Sequence, residues 1–187
     1  ASLNNAPAYT ADLSDTDSLK YLVTQLHTDG HTIDILINNA ADVTSKPFLE
    51  TSLAEIDCIV RTNITGTLQL PRLIGADMAA RGRGTIVNIS SLAGYKPNPT
   101  QTVYSIAKGA LNAISEALRA ELGPRGVHIV NVALMGVGTG PMKVPVETVA
   151  QRIERAIANR EPVIFFYRSS KWLMRLYAAF PFLARRI

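Results

Sequence analysis

The chain is 187 residues long, 47% apolar and 18% charged, with a formal net charge of +4. That composition excludes a disordered chain, and the length suits one domain with a substantial buried core. A single cysteine, Cys58, excludes an intrachain disulfide and points to a reducing compartment; it reads as buried helix filler. The three histidines, His27, His31 and His128, lack metal-ligand spacing, so no metal site is expected.

Charge is unevenly placed. From Gln151 onward there are eight Arg or Lys against two Glu, so the remainder of the chain is slightly acidic. A basic tail suits an anionic surface or a nucleic acid. No apolar run approaches the roughly 18–20 residues of a membrane span. "ASLNNAPAYT" has neither the basic start nor the apolar stretch of a signal peptide, and the chain begins without Met.

In chain order, "SDTDSLKYLVTQLHTDG" reads as a helix, with Ser14 as its cap, Asp17 three residues on and Gly30 closing it. "IDILIN" (33–38) has strand length. The segment 52–80 has helical periodicity, interrupted near Asn63 and Gly66. "GTIVNIS" is a second strand, buried on both faces. "QTVYSIAKGALNAISEALRAELGPRG" is a long helix, and "VHIVNVAL" a third strand. "VETVAQRIERAIANR", "PVIFFY" and "SKWLMRLYAAF" then read as helix, strand and helix. Strands alternating with crossover-length helices predict an α/β fold, a doubly wound parallel sheet, with ligands at the carboxyl ends of its strands. Those ends carry "NNAA", "NISSLAG" and "LMGVGTGPM", rich in small and amide residues.

Tyr104 and Lys108 stand one helical turn apart in "YSIAK", thirteen residues after Ser91. A phenol that exchanges a proton near neutral pH must move about three units from its usual pKa of ~10, roughly 4 kcal/mol. A cation on the same helix face favours the phenolate, and a hydroxyl from a neighbouring strand end can orient a substrate oxygen. Hydride must come from a cofactor, because no side chain supplies it. The group Ser91, Tyr104 and Lys108 therefore reads as a proton relay with carbonyl orientation.

Taken together, "YSIAK", "NISS", "NNAA" and "RTNITG", in that order and at these spacings, resemble the short-chain dehydrogenase/reductase family over nearly the whole chain. The resemblance implies a single Rossmann-like domain over 1–187 and an NAD(P)-dependent interconversion of an alcohol and a ketone or aldehyde, with NADP the slight preference. It implies Tyr104 as general acid/base, Lys108 lowering its pKa and bonding the nicotinamide ribose, Ser91 orienting the substrate, and Asn63 holding a water linked to Lys108. Asp12 and Leu13 match the adenine-contacting pair, Asn39 the cofactor-lining Asn, and Val137 the residue whose backbone meets the nicotinamide amide. Asn38 reads as structural. Ala41 and Met135 depart from the family's usual Gly and Pro, which bears on Val137 and Thr139.

The family's opening glycine-rich phosphate turn, T-G-x-x-x-G-x-G, has no counterpart in these residues. The expected reasons are a longer enzyme of which this is part, a truncated inactive homologue acting as an interaction or regulatory protein, or a partner chain that rebuilds the missing unit. Epimerisation on the same Tyr–Lys pair is an enzymatic alternative. The expected partners are a small alcohol or carbonyl substrate, including lipophilic ones, and further copies of the chain in a homodimer or homotetramer, with helices 52–80 and 101–123 pairing. Nucleic acid is not expected. The basic amphipathic segment 169–187, with Trp172, Leu173, Leu176, Tyr177 and Phe180, reads either as a cover for the pocket or a neighbouring subunit, or as a membrane-surface helix. The expected location is cytoplasmic, with peripheral membrane contact through that segment.

Overall fold

The computed structural model describes residues 6–134 and 144–166. Val137, Thr139, the final predicted helix and the segment 169–187 lie outside the described residues.

Among the described residues, five α-helices and four strands follow one another. They are α1 (Thr16–Thr28), β1 (Ile35–Asn38), α2 (Leu53–Val60), α3 (Thr67–Arg81), β2 (Gly84–Ser91), α4 (Thr102–Leu122), β3 (Val127–Leu134), α5 (Val146–Ala158) and β4 (Val163–Phe165). The strands pair in parallel in the order β1-β2-β3-β4, and the fold is the Rossmann-like α/β arrangement expected from the alternation.

Alternation along β2 and β3 builds two cores. Ile86 and Ile129 share a register row and turn to one face, where Leu19 and Val23 of α1 and Leu70, Ile74 and Met78 of α3 cover them. Val87, Ile89, Val130 and Val132 turn to the other face, against Ala156 of α5 and Ile164 of β4. With both faces covered, these two strands need apolar residues at nearly every position, which is why they read as continuous runs. β1 lies at the sheet's edge, and its Ile35 and Ile37 are 48% and 50% exposed.

The break expected in the helix at 52–80 is a π-helical stretch, Arg61–Gly66, between α2 and α3. Ser52 and Glu55 form a reciprocal capping box at the start of α2. Two expectations are corrected. Asp15, not Ser14, caps α1 by accepting from the Asp17 N–H at 3.0 Å. The Ser14 N–H and hydroxyl both donate to the Asp12 carboxylate at 2.8 Å, which turns that side chain away from the helix end. Cys58 is exposed rather than buried; Ile59 beside it takes the core-facing position. The Cys58 thiol donates to Asp42 at 3.3 Å, and that bond pushes its pKa up.

The turn before β3 depends on Gly126, at φ +84°, pressed against the backbone of Gly82, the left-handed residue that ends α3. A Cβ at Gly126 would overlap the Gly82 carbonyl. Gly126→Ala is therefore expected to lower stability by about 2 kcal/mol or more, read as a lower urea midpoint at unchanged slope; an unmoved midpoint contradicts this packing.

Candidate active site

The site is built where β2 ends against the start of α4. After Ser91 the chain turns tightly through Leu92–Gly94, and the Ser91 hydroxyl oxygen accepts from the Ala93 N–H at 3.1 Å. That bond leaves the Ser91 hydroxyl hydrogen available to a second partner. Gly94 lies directly on α4: a Cβ there would sit 2.5 Å from the Lys108 carbonyl carbon and 2.8 Å from the Gly109 nitrogen. Only glycine lets the turn carrying Ser91 come this close to the helix carrying Tyr104.

On α4, the Lys108 ammonium donates to the Ile89 carbonyl at 2.7 Å and lies 5.6 Å from the centre of the Tyr104 ring. The side chain is 5% exposed, and burial pulls its pKa down to about 8. Tyr104 is half-buried. Burial pushes its phenol up, and a hydrogen bond with Ser91 partly opposes that. The direction differs from the expectation that Lys108 makes this phenol acidic. The reason is geometric: the ammonium is turned to a strand carbonyl and the ring, so desolvation dominates at the hydroxyl.

A cleft of about 530 Å³ opens at the carboxyl ends of the strands, and Asn39, Ala41, Ser91, Tyr104, Lys108 and Leu134 line it. The structure thus brings four of the predicted residues together. Asn63 stands apart. It is 3% exposed in the π-helical stretch; its Oδ1 accepts from the Asp42 N–H at 2.7 Å and its Nδ2 donates to the Asp42 carbonyl at 2.8 Å. Its side-chain amide fixes the loop that follows Asn39. π-Helical turns of this kind recur at functional sites.

Asp12 and Leu13 lie away from this cleft. The Asp12 carboxylate, held below its ordinary range by its bonds from Ser14, forms an exposed turn before α1. Leu13 packs on the α1–α3 core, and its carbonyl rests against Gly66 at the end of the π-helical stretch, where a Cβ would not fit. Asn38 donates to Asn88 at 2.8 Å and is thus engaged within the sheet.

Four residues were not singled out from sequence: Ser90, Tyr95, Asn112 and Asn131. Ser90 donates towards the Lys108 carbonyl at 3.0 Å and Asn112 Oδ1 at 2.7 Å, and Asn131 donates to Asn112 at 2.9 Å and to the Tyr95 hydroxyl at 3.3 Å. The available signal was polarity in the wrong place. Asn88, Ser90 and Asn131 interrupt otherwise apolar buried strands, where a polar group needs a partner.

A parallel sheet flanked by helices, with a cleft at the carboxyl ends of its strands, defines a Rossmann-like α/β domain. The short chain dehydrogenase profile matches residues 2–149, and the chain belongs to that family. It is 34% identical over 152 residues to nodulation protein G of Azospirillum brasilense, covering 81% of this chain and 60% of that protein. It is 42% identical over 118 residues to the ketoacyl reductase HetN of Nostoc sp., covering 63% and 41%. Among solved structures it superposes with a TM-score of 0.77 and 30% identity on the bulky-bulky ketone specific alcohol dehydrogenase from Comamonas testosteroni, covering 96% of this chain and 73% of that one. The chain spans about half the length of the curated relatives it matches. Among the described residues no helix is long and apolar enough to cross a membrane.

The buried Lys108 ammonium gives a pH signature. Its folded pKa lies below the unfolded value of 10.5, so the folded state binds fewer protons between pH 8 and 10.5. The desolvation penalty is full below pH 8 and relieved as pH rises through that window, by about 3 kcal/mol in all. The stability of the wild type relative to Lys108→Met is expected to rise between pH 8 and 10.5, measured by urea unfolding; a flat difference contradicts a buried ammonium.

Proposed function

We propose that this site reduces a ketone to a secondary alcohol, with Tyr104 as proton donor. The observation that carries the reading is the convergence of Ser91, Tyr104 and Lys108 on one cleft at the strand ends, where burial pushes the Tyr104 phenol up. Such a phenol holds its proton at neutral pH and can give it to an oxygen that gains negative charge. With its oxygen accepting from Ala93, Ser91 has one hydroxyl hydrogen, directed at the Tyr104 oxygen; turning it to the substrate oxygen would hold that oxygen beside the phenol. Lys108, already bonded to Ile89, keeps further N–H donors for a ribose hydroxyl and a positive charge for the phenolate left after proton transfer.

A bound NAD(P)H supplies the hydride. The residues present fit the nicotinamide-ribose half of that cofactor: the cleft is lined by the Asn39 amide, the small Ala40 and Ala41, the Tyr104 hydroxyl and the Lys108 ammonium. Asp12 and Leu13 are our assignment for the adenine end, linked to Asn63 through the Leu13–Gly66 contact, and Val137 for the amide of the nicotinamide. The ketone as substrate class is supported by the names of two relatives, one a ketoacyl reductase and one a ketone specific alcohol dehydrogenase. A second copy of the chain is assigned to the groove between α3 and α4, about 690 Å³, floored by Pro71, Gly75, Ala76 and Leu122.

The test is Tyr104→Phe in the natural full-length protein, assayed with ethyl acetoacetate and either NADPH or NADH. Reduction is expected to fall by about 10²-fold or more, while cofactor affinity from fluorescence titration stays within a few-fold of wild type. Turnover near the wild-type rate removes Tyr104 from the chemistry.

A further inference from the structure

We propose that Asn112 is a positioning residue: its Oδ1, accepting from Ser90 and Asn131 at once, ties α4 to β2 and β3 and so sets where Lys108 and Tyr104 stand relative to Ser91. The inference rests on the reading of the site given above.

Tyr104, Lys108 and Asn112 follow one another at intervals of four on α4, so they share the helix face that meets the sheet. An apolar residue is the ordinary occupant of such a face; here its third position is an amide. Three consecutive residues at the end of β2 fasten to this face. Ile89 accepts from the Lys108 ammonium, Ser90 bonds the Lys108 carbonyl and Asn112, and Ser91 bonds Tyr104. Ser90 has one hydroxyl hydrogen for two acceptors, and the shorter distance, 2.7 Å against 3.0 Å, is to Asn112.

The chain of bonds continues on the other side. Asn131 reaches Asn112 with one amide hydrogen and Tyr95 with the other, while its Oδ1 has no hydrogen-bond partner among the described residues. Asn131 is thus oriented through Nδ2 alone, and Asn112 is its closer acceptor. Tyr95 ends the turn that starts from Ser91, and its ring lies 5.5 Å from that of Phe165 in β4. One continuous hydrogen-bonded path therefore runs from the turn behind Ser91, through Tyr95, Asn131 and Asn112, to Ser90, whose hydroxyl lies 3.0 Å from the Lys108 carbonyl. It brackets both halves of the site. Gly94, in contact with that same peptide, makes the spacing sterically tight as well.

Aspartate at 112 keeps the accepting oxygens and leucine removes them at similar volume, so the pair isolates the proposed role. In the natural full-length protein, Asn112→Leu is expected to lower kcat for ethyl acetoacetate reduction by about 10- to 100-fold with KM little changed, and Asn112→Asp to restore most of that loss. The second readout needs no turnover. With ¹³Cε-lysine labelling, assigned through Lys108→Met, the Lys108 resonance is expected to stand apart from the exposed lysines in wild type and Asn112→Asp. In Asn112→Leu and Ser90→Ala it is expected to move towards them. Equal effects of Leu and Asp, or a Lys108 resonance unmoved while only the melting temperature falls, overturn the proposal. If Asn112→Leu does not fold, Ser90→Ala against Asn112→Asp decides the same question. If the wild type itself reduces no ketone, the catalytic reading fails, and the lysine resonance alone judges the positioning role.

Discussion

The hydrogen bond from the Lys108 ammonium to the Ile89 carbonyl sets the order of everything around it. It fixes a helix against the last turn of a buried strand, and it does so with a charge that is almost wholly removed from water. A charge in that position is unfavourable unless its donors are engaged. The strand carbonyl and the Tyr104 ring partly answer that need, and burial still pulls the Lys108 pKa down to about 8. A site that keeps such a group gives up folding stability for a cation held at one place in its cleft.

Around this bond the structure uses polar groups where packing alone would call for apolar ones. Asn38, Asn88 and Asn131 occupy one register row across β1, β2 and β3, on the face covered by α4. Asn38 donates to Asn88, Asn88 to Ser115 on α4, and Asn131 to Asn112 on the same helix. Apolar contacts allow a helix to slide and rotate on a sheet at modest cost, whereas buried amides lose their partners when it moves. The row therefore gives α4 a defined register on the sheet. Tyr104 and Lys108 stand in the first two turns of that helix, where a small tilt would displace them most.

Much of this was legible from sequence, for identifiable reasons. β2 and β3 read as strands because both of their faces are covered, which demands unbroken apolar runs. The irregularity near Asn63 and Gly66 was visible as a break in helical period, although its π-helical form was not. The cap of α1 was misplaced by one residue because Ser14 and Asp15 are both good caps, and only the turn made by Asp12 decides between them. Cys58 and Ile59 are neighbours on an amphipathic helix, and the sequence does not say which of them faces the core. The i, i+4 spacing placed Lys108 beside Tyr104, but spacing does not fix where an ammonium points. It points to Ile89, so the electrostatic help expected for the phenol gives way to desolvation. The Ser90–Asn112–Asn131 path was hidden for a related reason: a polar residue in a buried strand announces that it needs a partner without naming it.

The proposed proton transfer turns on the protonation state of one phenol, and that state can be measured directly. In protein labelled with ¹³Cζ-tyrosine, the Tyr104 resonance, assigned by comparison with Tyr104→Phe, is followed as pH is raised. A phenol desolvated at the rim of the cleft and bonded to Ser91 remains protonated beyond the ordinary tyrosine midpoint near pH 10. An ionisation midpoint in the neutral range would contradict the account, because it would show the hydroxyl responding to Lys108 and not to its burial.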